Sequence, residues 1–264
     1  MRPTITVGID GFPESPHAAH WAAREALLRD LPLRLVHAWV LLAPAVPDVP
    51  REHDRNYWAR RLLTDTVAEL REAHPGLRVT AELVPRETAP ALLAAARDAE
   101  MLVLGSRGHG TVGGFLLGST GRYVLARGVR PMVLVHADDQ EPSPDVTVAL
   151  GLRRPGDAVL EFAFDAAARR GGGLRAVHAG ARRTDEETRA LSAAVRPWRE
   201  RYPGVRVAED VTSERAPRAV VNAAAGSGLL VLGRDGSEST AVPRLGPVAH
   251  AAVHHAPCPV AVVP

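Results

Sequence analysis

The feature that most limits what this chain can fold into is that its sequence runs twice over one plan. Leu102-Val103-Leu104-Gly105 recurs as Leu230-Val231-Leu232-Gly233, and Pro75-Gly76-Leu77-Arg78-Val79 as Pro203-Gly204-Val205-Arg206-Val207. Arg130-Pro131 is answered by Cys258-Pro259, and all three pairs lie 128 positions apart. Nearer the start of each half the spacing is 141, with Val36-His37-Ala38 returning as Val177-His178-Ala179 and Thr6-Val7 as Thr147-Val148. The first half therefore holds a longer connection, which the Pro-rich, non-periodic stretch from Leu41 to Arg55 accommodates. A whole-length duplication decides the architecture before any element is placed, because each copy must fold as a unit. The acidic, Pro-bearing run from His136 to Pro144 reads as the join. The expected division is a first domain over 1–137, a linker over 138–145 and a second domain over 146–264.

Each half alternates short apolar runs with stretches that place apolar residues three and four apart. In the first half the runs are Ile5 to Ile9, Leu33 to Trp39, Arg78 to Leu83, Met101 to Leu104 and Met132 to Val135. The helical stretches are Ser15 to Arg29, Trp58 to Ala73, Ala89 to Ala99 and Ser119 to Ala126. This predicts an α/β class: per half, a five-stranded parallel sheet with right-handed crossovers and helices on both faces. In such sheets ligands sit beyond the carboxyl ends of the strands where strand order reverses, which directs attention to the loops leaving strands one and four.

Composition removes several chemistries. All 32 Lys+Arg residues are arginine, so a phosphate-binding Walker lysine and a Schiff-base lysine are both absent. The single cysteine, Cys258, permits neither an intrachain disulfide nor a thiolate-rich metal site. No apolar run approaches the ~20 residues of a membrane span, and the first residues lack the pattern of a signal peptide. The expectation is a cytoplasmic protein without a membrane partner. Arginine pairs such as Arg60-Arg61 and Arg182-Arg183 lack the interleaved aromatics of a nucleic-acid surface, so no nucleic-acid partner is expected.

The chemistry concentrates after the fourth strand, where residues 105–120 include six glycines and close on Gly118-Ser119-Thr120 before a helix. Glycines let main-chain N–H groups approach a phosphate. The helix start adds free amides, the positive dipole end and an expected N-cap hydroxyl. Arg107 and His109 add positive charge. Gly105, Gly108, Gly118 and Ser119 fit G-x2-G-x9-G-[ST], which resembles the ATP-binding signature of the universal stress protein family. Asp10 at the end of strand one, the His-Ala pair ending strand two and the duplication strengthen the likeness, which covers essentially the whole chain.

The resemblance implies two tandem Rossmann-like domains of the adenine nucleotide alpha hydrolase-like kind. It also implies an ATP site, with Mg²⁺ held mainly by the nucleotide. Asp10 would lie beside the ribose and the metal-phosphate group, and the Ala38 backbone would contact adenine. Leu104 and Gly105 would line the nucleotide, followed by Arg107 and Gly108 in the phosphate loop. Gly118, Ser119 and Thr120 would hold the phosphates. Read without the resemblance, Asp10 before Gly11 also suits a turn or helix cap, and His37 is a core histidine with no assigned role.

The second half departs from this pattern. Gly233, Gly236 and Gly246 keep the spacing, but Pro247 follows Gly246 with neither N–H nor hydroxyl. Gly151 stands where Asp10 stands, and Asp235 and Ser237, with Glu238 next, replace Arg107 and His109. Nucleotide is therefore expected mainly in the first half, with a structural or partner-binding second half. His250 and His254 share helical i, i+4 spacing but lack the further ligand of a metal site. The expected role is a nucleotide-dependent regulator of stress or dormancy responses with an unidentified protein partner. No nucleophile–base pair marks it as an enzyme. The alternatives are a weak ATPase or nucleotidyltransferase-like enzyme, and a nucleotide-free interaction module. The short apolar last strands of the halves, Met132 to Val135 and Val260 to Val263, are expected to pair within the chain as a pseudo-dimer, with homodimerisation open.

Overall fold

The computed structural model describes residues 3–39, 55–108, 115–136, 143–153, 156–180, 183–234 and 245–264. They divide into two compact units that follow the duplication except over Gly108–Leu117, which groups with the second unit.

The first unit contains β1 (Thr4–Gly8), α1 (Glu14–Leu28), β2 (Leu33–Ala38), α2 (Arg55–Ala73) and β3 (Val79–Val84). It continues through α3 (Thr88–Arg97), β4 (Ala99–Gly108), α4 (Ser119–Arg127) and β6 (Met132–His136); the two-residue strand β5 (Phe115–Leu116) lies between β4 and α4 in the chain. Its sheet has the order β3-β2-β1-β4-β6, every pair parallel. The chain runs outward from β1 to β3, then crosses back past β1 to β4 and β6, so strand order reverses between β1 and β4. Helices α1 and α2 cover one face, while α3 and α4 cover the other.

The second unit repeats this plan. Its elements are β7 (Val146–Ala149), α5 (Asp157–Arg170), β8 (Leu174–Ala179), α6 (Asp185–Arg201), β9 (Val207–Thr212), α7 (Ala216–Ala223), β10 (Leu229–Gly233), α8 (Pro247–His255) and β11 (Val260–Val263). Its strand order is β9-β8-β7-β10-β11, again all parallel.

Strands buried on both faces read as continuous apolar runs, and β6 and β11 are buried at every position. Alanines let the helices approach closely: Ala18, Ala19, Ala22, Ala23 and Ala26 form the buried stripe of α1, and Ala163, Ala166 and Ala167 that of α5. The duplication extends to individual contacts. Arg34 of β2 pairs with Glu82 of β3, and Arg175 of β8 with Asp210 of β9. Arg71 Nη2 donates to the Val79 carbonyl and Arg199 Nη2 to the Val207 carbonyl.

Two expectations are corrected. β4 begins at Ala99, assigned from periodicity to the preceding helix, and runs on to Gly108 inside the glycine-rich segment. Pairing to β1 begins at Ala99, and pairing to β6 carries the ladder on to Ser106. His136, assigned to the join, is the last residue of β6 and is buried. At the far end of the join, Asp145 belongs to the second unit: its Oδ1 accepts from the Gly173 N–H at 2.7 Å and its carbonyl from the Gly228 N–H at 2.8 Å.

Candidate functional site

In register, Val36, Gly8, Leu104 and Leu134 form one row across the first sheet. Asp10 just past β1, Ala38 at the end of β2 and Gly105 next to that row in β4 therefore fall together at the carboxyl end of the sheet, beside the reversal of strand order. Helix α4 starts at this same end, as a helix joining β4 to a parallel β6 must.

Asp10 is exposed, and its Oδ1 accepts twice, from the Phe12 N–H at 3.1 Å and from the Ser15 hydroxyl at 2.5 Å. Its own N–H donates to Ser15 Oγ at 3.1 Å. The turn-forming role is thus real: the carboxylate organises the entry into α1, and both contacts use the same oxygen. Ala38 ends β2 opposite Val84. Leu104 is buried with its side chain over Gly8, so it floors the site.

Gly105 is required sterically. A Cβ there would stand 3.1 Å from the main-chain carbon and oxygen of Glu14, so the first turn of α1 rests directly on this glycine. Arg107 and Gly108 are the last two residues of β4. His109 and the rest of the glycine loop to Gly114 lie outside the described residues, as do Asp235, Gly236, Ser237 and Glu238 of the second half.

The expected hydroxyl cap of α4 is corrected. Gly118 is the cap residue, with φ −58 and ψ 166, Ser119 is the first helical residue, and no side chain caps the helix. The earliest of its intrahelical N–H bonds is Arg122 to the Gly118 carbonyl, 3.0 Å. The amides before it form a donor cluster at the positive end of the helix. A Cβ on Gly118 would meet nothing within 4 Å. Helix α8 starts with the same backbone, Gly246 at φ −64 and ψ 162, but Pro247 takes the place of Ser119.

Residues that the motif did not name complete the site. His37 Nδ1 lies 2.6 Å from the Ile9 carbonyl, one residue before Asp10, and His178 Nδ1 lies 2.8 Å from the Leu150 carbonyl. A carbonyl only accepts, so each ring carries its hydrogen on Nδ1 and pins the end of the first strand of its unit. The repeated Val-His-Ala was the sequence signal for this role.

Three buried polar atoms at this end of the first sheet have no hydrogen-bond partner: Glu14 Oε2, Trp39 Nε1 and Ser106 Oγ. Trp39 follows Ala38, Ser106 follows Gly105, and Glu14 is the residue against Gly105. Where Trp39 stands in the first unit, the second has Gly180, and a Cβ there would overlap the carboxylate of Glu187. That carboxylate also closes a capping box with Thr184 at the start of α6. Among the described residues no three His, Cys, Asp or Glu side chains converge on a metal position, so a divalent ion here would depend on a ligand's own oxygens. Cys258 is buried, and burial raises its thiol to about 12, leaving it unreactive.

A parallel sheet with a reversal of strand order and a helix start without a side-chain cap, repeated in two units, defines a duplicated, doubly wound α/β protein. The universal stress protein family model matches residues 1–136 and again 144–264. A universal stress protein of Mycobacterium tuberculosis is 32% identical over 282 residues, covering 98% of this chain and 96% of the relative. One of Mycolicibacterium smegmatis is 34% identical over 289 residues, with the same 98% and 96% coverage. Among solved structures, a universal stress protein from Archaeoglobus fulgidus superimposes with a TM-score of 0.77 at 19% identity, covering 100% of this chain and 99% of that one. The chain belongs to the universal stress protein family, in its tandem two-domain form. No helix among the described residues is long and apolar enough to cross a membrane.

Proposed function

We propose that this chain is a regulatory nucleotide-binding protein of stress or dormancy responses, taking up one adenine nucleotide, ATP first among them, in its first unit. The carrying observation is that three buried polar atoms lack a partner, Glu14 Oε2, Trp39 Nε1 and Ser106 Oγ, each on a residue beside Gly105 or Ala38. Buried polar groups in folded proteins are paired, by protein, water or ligand. An indole N–H, a hydroxyl and a carboxylate oxygen are the kinds of group that a base and ribose, which offer both donors and acceptors, would satisfy. The uncapped amides of α4 suit the phosphates.

In this reading the Ala38 main chain faces the base, and Asp10 offers its second oxygen to the ribose or to an ion carried by the phosphates. Leu104 and Gly105 line the floor, and Arg107 and Gly108 lead into the phosphate loop. Gly118, Ser119 and Thr120 supply the terminal donors. In this reading the site positions a ligand, and binding is the proposed activity.

The test is extraction and chromatography of nucleotide from the purified protein, followed by titration of the emptied protein with ATP and Mg²⁺. The expected result is one equivalent per chain and a raised melting temperature, since a ligand of the native state stabilises it. Absence of bound nucleotide together with no thermal shift in millimolar ATP would overturn the proposal in favour of an interaction module.

A further inference from the structure

Three titratable side chains form a row across the seam between α1 and the end of α2. His20 Nδ1 lies 3.2 Å from His74 Nε2, and His20 Nε2 lies 3.0 Å from Glu69 Oε1. The ring centroids are 5.4 Å apart with planes inclined at 54°, so the rings meet through their nitrogens and do not stack. Glu69 is on α2, and His74 is fixed just past its last turn by an N–H bond to the Leu70 carbonyl at 2.9 Å. The row lies away from the residues proposed to hold nucleotide, and its two histidines are 54 positions apart in the chain.

The proton inventory of this row is constrained. A carboxylate accepts, so His20 Nε2 carries a hydrogen. While His20 is neutral, its Nδ1 is an acceptor and His74 Nε2–H is the donor. One added proton on His20 reverses the sense of that bond and preserves it. A second proton places N–H groups on both facing nitrogens and a positive charge on both rings, and the contact cannot survive.

Of the neighbouring charges, Arg24 acts in the same direction and the Glu69 carboxylate against it. Arg24, one turn further along α1, faces His74. His17, on the preceding turn, is turned to the Pro13 carbonyl at 3.2 Å. Glu69 is the one acidic group in the row, and it touches His20.

We propose that His74, His20 and Glu69 form an acid-sensitive fastening between α1 and α2, closed at neutral pH and released by the second proton under mildly acidic conditions. Burial first, then the neighbouring His20 and Arg24, lower the His74 pKa from its ordinary 6.5. The unfolded chain therefore binds more protons than the folded one just below that value. The stabilisation is complete above 6.5 and is lost as pH falls through the lowered folded value. Helix α1 also carries Ser15, which holds Asp10, and Glu14, which rests on Gly105. Any effect on nucleotide uptake rests on the function proposed above; the fastening itself does not.

The experiment is nitrogen-detected NMR of the imidazoles of the ligand-free full chain, with amide exchange of α1 and α2, at about pH 7.5 and about pH 5.5, on either side of the ordinary imidazole value. At the higher pH one of the two facing nitrogens should be protonated and the other bare. On acidification, exchange in α1 and α2, corrected for intrinsic rates, should accelerate by up to about tenfold, the limit for one histidine at one pH unit below its ordinary value. His74→Gln gives His20 a partner that never charges, and should make that acceleration several-fold smaller. Should that variant not fold, the wild-type spectra decide alone. Two rings titrating independently at the ordinary value, or exchange in α1 and α2 that ignores pH, would overturn the proposal.

Discussion

The ligand ends of the two units differ in their side chains far more than in their backbone. Gly118 and Gly246 cap their helices with nearly the same torsions, and His37 and His178 pin equivalent carbonyls. Yet one end offers Asp10, Ser119 and three unpartnered polar atoms, while the other has Gly151, Pro247 and a carboxylate, Glu187, lying against Gly180. Main-chain geometry is held by the fold, whereas the donors a ligand needs are held by single positions. A duplicated scaffold can therefore keep its strand order and helix starts while the side chains at one end change, which is the ground for proposing a single site.

Four sets of substitutions probe that contrast, in falling order of effect. Ser119→Pro gives the first unit the helix start of the second, removing an N–H and a hydroxyl. Two lost charge-assisted bonds at about 1.5–3 kcal/mol each should weaken ATP binding on the order of 10²–10⁴-fold, read by calorimetric titration, with circular dichroism unchanged. Pro247→Ser should not create a second site, because Gly151 and Glu187 remain.

Gly105→Ala forces a Cβ against the Glu14 main chain and should cost about 1–3 kcal/mol of stability, as overpacking does, measured by urea denaturation. Gly233→Ala meets only Val159 at 3.4 Å, an ordinary contact, and should cost far less. Equal losses would break the asymmetry. Next, His37→Phe and His178→Phe each strand a carbonyl, at about 1–3 kcal/mol. Both should destabilise, but only His37→Phe should also lower ATP affinity.

The smallest effect belongs to Ser106→Ala. It removes a hydroxyl that the ligand-free protein leaves unpaired, so stability should stay level or rise by up to about 1 kcal/mol, while ATP affinity falls. A stability loss above that size would show that the hydroxyl is structural.

Most of the scaffold was legible in the sequence because buried parallel strands are continuous apolar runs and the repeat shows each of them twice. Legibility failed where context outweighs local pattern. Ala99 looks helical among alanines, yet central pairing draws it into β4. His136 sits among polar neighbours at the end of the first half and is nonetheless a buried strand residue. Ser119 matches the usual capping residue, but the cap falls on Gly118. Gly105 and Gly118 stood out in the sequence by their spacing, and Asp10 by its place at the end of strand one. Glu14, Trp39 and Ser106 did not, because an unpartnered atom is a property of surroundings that the sequence does not display. Glu187 escaped for the same reason, reaching the end of β8 from the neighbouring helix α6.

The central claim is that one end of this duplicated molecule binds and the other does not. The most direct measurement is calorimetric titration of nucleotide-free protein with ATP and Mg²⁺, on the wild type and on Gly118→Val and Gly246→Val, positions where the glycine cap is matched. The account predicts one equivalent for wild type and for Gly246→Val, and none for Gly118→Val. Two equivalents for the wild type, or loss of binding in Gly246→Val with Gly118→Val unaffected, would contradict it.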